Sequence, residues 1–405
     1  MENRTGLFTN AVIWFGVAIS VSEIEAGIGI GNASTLSSLW LPVVLGHILG
    51  GILLFLVGYI GANVRMNAME MTESTFSRYG SKFFAALNVL QLVAWVAVLN
   101  AQGALALGSL NLPVSFPVIC ILLAILIAIY VYVGLQRISK VTTIVMVVLT
   151  ALLAVLSFKL LGANTPALPI ADNIAHSASA LSFWNIFEIS IAMPISWLPV
   201  ISDYTKDVEK PMGATMVSAI AYTLASLWMY FIGVEIANLG AGVNISQAIL
   251  LTNLGTAGII IVVLSTVTTN FMAANSAGES AKVIFNRLNP KMVGIVVSAL
   301  SALLAISGVM DNYIDFLYLI ASVFAPMAAV LLVSYYVVKD QSDGGWIWYW
   351  NIFSWLAGFI VYNIAINLDS IFLGPTLLAI IVSAFLAYAG ALFKEKFTHC
   401  ESDNI

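Results

Sequence analysis

The stretch SVSEIEAGIGIG, residues 20–31, places two carboxylates, Glu23 and Glu25, in a segment that is otherwise apolar from about residue 9 to 31. About 20 mostly apolar residues are long enough to span a bilayer. Ionisable side chains are costly in hydrocarbon and usually mark function, and glycine weakens a helix. The stretch therefore predicts a first span that is unwound near Ser20, with its acids directed into a polar cavity.

The composition of the whole chain is that of a membrane protein. Its 405 residues are 61% hydrophobic and 9% charged, whereas soluble domains carry about 25% charged residues. We expect an all-α polytopic fold, with residues 1–405 forming a single transmembrane domain in the lipid bilayer. The twelve predicted spans are 9–31, 40–62, 84–108, 114–134, 141–162, 182–203, 213–236, 255–280, 292–309, 313–337, 346–367 and 370–393. Nothing in the chain indicates a nucleic acid or an obligatory protein partner.

The basic residues are distributed asymmetrically among the loops. If the N-terminus is cytoplasmic, every lysine and arginine except Lys159 falls on the cytoplasmic side of the predicted spans. Cytoplasmic loops of multi-pass proteins carry an excess of Lys and Arg. The pattern predicts a cell-membrane protein whose N- and C-termini are both cytoplasmic.

The sixth predicted span is interrupted, as the first one is. It carries Pro194 and Pro199, with Ser196 and Trp197 between them, and proline removes a backbone donor and clashes with the preceding turn. Interrupted spans in corresponding positions point to an inverted-repeat transporter with its site at the breaks. The expected repeats are 9–162 and 182–337, followed by two accessory helices in 346–393. Ordinary packing kinks are the alternative explanation.

The eighth predicted span has a polar face. Its members at helical spacing are Ser265, Thr268, Thr269, Met272 and Ser276. Hydroxyl and carbonyl oxygens are the ligands that hard cations prefer, so the face is a candidate Na⁺ site, although small polar residues also promote tight helix packing. Asn270 and Asn275 add amides that could bind a polar ligand.

Gln91 and Trp95 in the third predicted span lie at i and i+4, on one helical face. A tryptophan ring can stack on a planar ligand while an amide binds its edge, as in pockets for flipped bases. Trp197 at the sixth-span break could cover the other side of such a ligand. Two core side chains with structural roles are the alternative.

Several other classes of protein are disfavoured. The chain has no H-E-x-x-H or G-x-S-x-G motif and only three histidines. We therefore expect no enzyme, no catalytic residue and no cofactor. A channel would not require interrupted first and sixth spans, and a scaffold would leave the intramembrane acids unexplained.

The chain resembles the nucleobase–cation symporter family along essentially its whole length. The motifs that carry the resemblance are WFGVAISVSE (14–23), TFSRYGSKFFAALNVLQLVAW (75–95), SWLPVISDYTKD (196–207) and LSTVTTN (264–270). The resemblance implies a five-plus-five inverted repeat (LeuT-like) with broken helices 1 and 6, and alternating-access import of a small ring coupled to a cation. The coupling ion would be Na⁺, with H⁺ as the alternative.

The resemblance also assigns roles to individual residues. A sodium site would join carbonyls near Val17 and Ser20 to Ser265, Thr268 and Thr269. Substrate contacts would come from Gln91, Trp95, Ser196, Trp197, Asn275 and Asn270, with Asn275 one residue from the expected register.

Within the family, the chain is most similar to the branch assigned to hydroxymethylpyrimidine, a thiamine precursor. Glu23 would then accept from the exocyclic amino group of an aminopyrimidine, since charge-assisted hydrogen bonds are the stronger ones. Cytosine, another nucleobase or a hydantoin is the alternative substrate. An amino acid symporter of the same fold is disfavoured because Glu23 and Glu25 would repel a substrate carboxylate.

Overall fold

A computed structural model describes residues 4–34, 36–108, 113–162, 181–240, 242–251, 253, 255–309, 313–339, 345–368 and 373–402. The described chain is almost entirely helical. Its first half contains α1 (Leu7–Ala18), α2 (Val21–Asn32), α3 (Leu36–Val64), α4 (Glu73–Gly108), α5 (Phe116–Val133) and α6 (Leu135–Leu161). Its second half contains α7 (Phe183–Ser196), α8 (Leu198–Thr205), α9 (Pro211–Ala237), α10 (Ile245–Leu251), α11 (Gly255–Ile284), α12 (Pro290–Ile306), α13 (Tyr313–Leu332), α14 (Gly345–Ala365) and α15 (Pro375–Ser402).

Eight helical segments within the described ranges are long and apolar enough to cross a membrane. A ninth is obtained if α1 and α2, which are bent by 50° relative to each other, form one span. The predicted spans 141–162, 292–309 and 346–367 overlap α6, α12 and α14, which do not qualify. Helix α12 has only 17 residues, and α14 is rich in Trp, Tyr and Asn.

The helices pack in two groups that face each other. In the first group, α1 and α2 pack on α9, while α3 packs on α7, α8 and α9. In the second, α4 packs along α11, and α5 and α12 cover this pair. Helices α13, α14 and α15 contact one another, and α13 also packs on α7. The breaks between α1 and α2 and between α7 and α8 face α11 and α4, which places the candidate site between the two groups.

The glycine-rich half of residues 20–31 is helical, contrary to the expectation that it unwinds. The break falls at Ile19 and Ser20, and α2 continues through the glycines to Asn32. A Cβ added to Gly27 would lie 2.5 Å from the backbone oxygen of Tyr230 and 3.1 Å from the Cα of Gly233 on α9. The glycines therefore allow two helix backbones to approach closely, which is the common use of small residues between membrane helices.

Candidate functional site

The break between α1 and α2 leaves backbone groups of both helices without intrahelical partners. Ile19 has φ −76° and ψ 85°, and Ser20 is extended at φ −135° and ψ 154°. The Ser20 hydroxyl accepts a hydrogen bond from the Glu23 amide at 3.2 Å and so caps α2. The last carbonyls of α1 remain available to other groups, because a helix leaves its final carbonyls unbonded.

Two hydroxyls of α11 meet these carbonyls. Ser265 Oγ donates to the Ile19 carbonyl at 2.9 Å. Thr269 Oγ1 donates to the Val17 carbonyl at 3.3 Å and lies 3.5 Å from that of Ile19. All four residues are almost completely buried. The hydroxyl and carbonyl oxygens of the two helices thus lie together in a small neutral cluster, whose oxygens suit a hard monovalent cation.

The other two residues predicted for the cation site are placed differently. Thr268 Oγ1 donates at 2.7 Å to the Leu264 carbonyl of its own helix. Ser20 uses its hydroxyl as the α2 cap, and its carbonyl accepts from the Ile24 amide at 3.4 Å. The Ile19 carbonyl, which the sequence did not single out, takes the shortest contact with α11. A helix break frees several carbonyls at once, and the sequence does not say which of them face the partner helix.

Gln91 of α4 reaches the break between α7 and α8. Its Nε2 donates to Asn88 Oδ1 at 2.7 Å and to the Ser196 carbonyl at 3.4 Å. Asn88 Nδ2 donates to the Pro199 carbonyl at 2.8 Å. The amides of α4 therefore bind carbonyls on both sides of Trp197. Gln91 Oε1 is buried and has no hydrogen-bond partner in the structure, so it is an available acceptor.

The two candidate stacking rings have different neighbours. Trp95 lies 5.4 Å from Phe316 and 6.2 Å from Tyr313, measured between ring centroids, and its buried Nε1 has no hydrogen-bond partner. Trp197 lies at an edge of Trp14, with ring centroids 6.0 Å apart. Among the described residues, the structure records no ring contact between Trp95 and Trp197.

Glu23 faces α9. It is 1% exposed, and its two carboxylate oxygens accept hydrogen bonds from Tyr222 Oη and Ser226 Oγ, each at 2.8 Å. Ser226 Oγ also lies 2.7 Å from His47 Nε2, and His47 Nδ1 lies 2.6 Å from Ser190 Oγ. The acid is thus part of a buried polar network that joins α2, α9, α3 and α7. The sequence feature that could have predicted this network is His47, a histidine within an apolar run, since intramembrane ionisable residues usually find partners.

The two predicted asparagines of α11 differ in their environments. Asn270 is fully buried, and neither its Oδ1 nor its Nδ2 has a hydrogen-bond partner in the structure. Asn275 Nδ2 donates to Tyr204 Oη at 3.2 Å, and Tyr204 Oη donates to the Met272 carbonyl at 3.0 Å. Asn275 is therefore engaged in the contact between α8 and α11, whereas Asn270 has unused donors and an acceptor.

Further polar contacts join the end of α8 to α11. Ser276 Oγ donates to the Asp203 carboxylate, and Lys206 Nζ lies 2.8 Å from Glu279 Oε2. Burial favours the neutral form of Lys206, but the carboxylates of Glu279, Asp203 and Asp207 together outweigh it, and the pKa of Lys206 lies above its ordinary value. The two helix groups are thus tied together at this end of the bundle.

Comparisons with known proteins agree with a transporter. The fold is shared with MHP1, a nucleobase-cation-symport-1 family transporter solved in a closed conformation with bromovinylhydantoin bound, at a TM-score of 0.79 and 19% identity over 98% of this chain and 94% of that one. A Na⁺-coupled sialic acid symporter has a TM-score of 0.70 at 16% identity, over 97% and 91% of the two chains. The chain therefore has the fold that these two structures share.

Sequence comparisons give the family. Residues 1–390 match the model of a family described as permease for cytosine/purines, uracil, thiamine, allantoin, and the chain belongs to this family. It is 23% identical to the hydantoin permease of Microbacterium maritypicum, over 96% of this chain and 86% of that one. It is 21% identical to the cytosine permease of Escherichia coli K12, over 84% and 80%. These relatives are permeases and not enzymes.

Proposed function

We propose that the chain imports a pyrimidine, 4-amino-5-hydroxymethylpyrimidine, by symport with Na⁺. The observation that carries the cation-coupled mechanism is the contact of the Ser265 and Thr269 hydroxyls with the carbonyls of Val17 and Ile19. This cluster joins α1 to α11, which belong to different helix groups. A cation bound there would favour the state in which the groups are close, and substrate bound between them would favour the same state, so each would strengthen the other's binding.

The proposed architecture has twelve spans. Residues 9–162 and 182–337 would be two inverted repeats, and 346–393 would add two accessory helices. Both termini would be cytoplasmic, in accord with the distribution of Lys and Arg. The helix group with α1, α2, α7 and α9 would rock against the group with α4 and α11 around a site at the two breaks.

The proposed substrate site lies on α4. Trp95 would stack on the ring, and Gln91 Oε1, which has no partner, would accept from an amino group at the ring edge. Trp197, Ser196 and Asn270 would complete the site near the α7–α8 break. The alternative substrate is cytosine or a hydantoin, the compounds after which the two relatives are named. Protons are the alternative to Na⁺, because the buried network around Glu23 contains titratable groups.

The ligand assignment is tested by stabilisation of the purified protein. A ligand that binds only the folded state raises its stability by mass action. We expect hydroxymethylpyrimidine to raise the thermal midpoint more than cytosine, uracil, hydantoin or thiamine does, and the rise to be larger with Na⁺ than with choline. Stabilisation by cytosine alone would assign the chain to cytosine instead.

The proposed role of Glu23 has its own test. If one lone pair of the carboxylate also accepts from the substrate's amino group, Glu23→Gln lowers the affinity for aminopyrimidines by about tenfold or more, since charge-assisted hydrogen bonds contribute roughly 1.5–3 kcal/mol. Binding is measured by titration calorimetry on protein that remains monodisperse. Tyr222→Phe is the matched control, because it removes one partner of Glu23 and keeps the charge. Equal affinities for Glu23→Gln and the wild type would assign Glu23 to helix packing alone.

A further inference from the structure

Gln102 lies on the substrate face of α4 but has no role in the site described so far. It follows Gln91 by eleven positions and Trp95 by seven, so the three side chains share one helical face. Two turns separate Trp95 from Gln102, about 10 Å along the helix axis. Gln102 is 3% exposed, and the carboxamide is therefore shielded from bulk water.

The carboxamide of Gln102 is held in one orientation. Ser22 Oγ, in the first turn of α2, donates a hydrogen bond to Gln102 Oε1. Among the described residues, Nε2 on the opposite side of the amide is buried and forms no well-aligned hydrogen bond, although it lies close to the Tyr313 hydroxyl. An unpaired buried donor costs about 1–3 kcal/mol, and such groups usually find a partner in native proteins. The arrangement presents a buried N–H donor that forms no well-aligned hydrogen bond with its neighbouring oxygen, the Tyr313 hydroxyl.

Tyr313 connects this amide to the candidate stacking ring. Its ring meets Trp95 edge-on, at 6.2 Å between centroids and an interplanar angle of 76°. Its hydroxyl donates to the Ser22 carbonyl at 3.4 Å. Gln102, Ser22 and Tyr313 thus form a polar cluster beside Trp95, which we call the Gln102 cluster. Its residues come from α4, α2 and α13. Along α4 it lies on one side of Trp95, and Gln91 lies on the other.

We propose that Gln102 determines specificity by donating a hydrogen bond to an acceptor atom on a substituent of the substrate ring. A ring stacked on Trp95 reaches Gln102 only through a substituent directed along α4 toward Gly108. A hydroxymethyl oxygen is such an acceptor, whereas a methyl group is not. This inference rests on the proposed function, and it names the part of the substrate that the chain would read in addition to the ring.

The test compares two ligands that differ in one atom: 4-amino-5-hydroxymethylpyrimidine and its 5-methyl counterpart. Dissociation constants are measured by calorimetry on the purified full chain. Sites built to bind a substrate hydroxyl reject the analogue that lacks it strongly, so we expect the wild type to prefer the hydroxymethyl compound by about tenfold or more. Gln102→Met should weaken binding of the hydroxymethyl compound and leave the methyl compound unchanged, so that the preference disappears.

Two further variants keep the result interpretable. Gln91→Met is the matched control on the same helical face, and it should weaken both ligands by similar factors because Gln91 faces the ring. Ser22→Ala releases Gln102 Oε1 and should reduce the preference only in part, which provides a second measurement if Gln102→Met does not fold.

The contradicting outcomes are distinct. An unchanged preference in both Gln102→Met and Ser22→Ala would mean that water or the Tyr313 hydroxyl is the partner of Nε2, and would overturn the inference. Equal binding of the two compounds by the wild type would overturn it as well, while leaving the pyrimidine assignment intact. Binding of neither compound by folded wild-type protein would overturn the proposed substrate and the inference together.

Discussion

In the double variant Ser265→Ala/Thr269→Ala, substrate uptake no longer responds to sodium in the millimolar range. The two hydroxyls contact the carbonyls of Ile19 and Val17 at 2.9 and 3.3 Å, and both would be cation ligands in the proposed site. Removing even the partners of metal ligands typically lowers affinity about 10- to 100-fold, and we expect a loss of at least this size. The measurement is the Na⁺ concentration that gives half-maximal uptake, at fixed pH.

Ser298→Ala is a suitable control for this double variant. Ser298 is a fully buried serine on α12 whose hydroxyl donates to the Gly294 carbonyl of its own helix, so its loss removes a buried hydroxyl without touching the break. The control should retain the sodium response of the wild type. If the double variant retained it too, the sodium site would lie elsewhere in the chain, and the proposed roles of Ser265 and Thr269 would be wrong.

Gly233→Ala should prevent or severely impair folding. A Cβ at position 233 would lie 2.2 Å from the Ile24 carbonyl oxygen and 2.8 Å from the Cα of Gly27. Because both neighbours are backbone atoms, α2 and α9 would have to separate, and the cost should exceed the roughly 1–3 kcal/mol of an overpacked core. The measurements are the yield of monodisperse protein and its thermal midpoint in detergent.

Gly29→Ala serves as the comparison for this prediction. It lies on the same helix as Gly27, but a Cβ there would meet nothing within 4 Å, and alanine is the better helix former. Its yield and midpoint should equal or exceed those of the wild type. Wild-type behaviour of Gly233→Ala would show that α2 and α9 are not in the close contact described.

The membrane character of the chain could be predicted from sequence, but the structural use of the glycines could not. Composition and segment length indicate a polytopic protein, because a span requires a continuous apolar run. The glycines were expected to unwind the helix, yet they lie within α2 and pack against α9. A glycine's use depends on which backbone it approaches, and that partner is about 200 residues away in the chain.

In the candidate site too, local features could be predicted from sequence, whereas contacts with distant residues could not. That Ser265 and Thr269 share one helix face could be predicted from their spacing, since position on a helix face is a local property. The partners of Glu23 could not, because Tyr222 and Ser226 are separated from it by 199 and 203 residues. The environment of Gln102 Nε2 could not be predicted either, because the orientation of its amide depends on the hydroxyl of Ser22 on another helix.

The most direct test of the central proposal is gradient-driven accumulation in proteoliposomes. The purified chain is reconstituted, labelled hydroxymethylpyrimidine is supplied outside, and an inward Na⁺ gradient is imposed at equal pH on both sides. The proposal predicts accumulation above the external concentration, and its collapse when a sodium ionophore dissipates the gradient. Entry that only equilibrates, with or without the gradient, would contradict sodium symport, as would accumulation driven by a pH gradient alone.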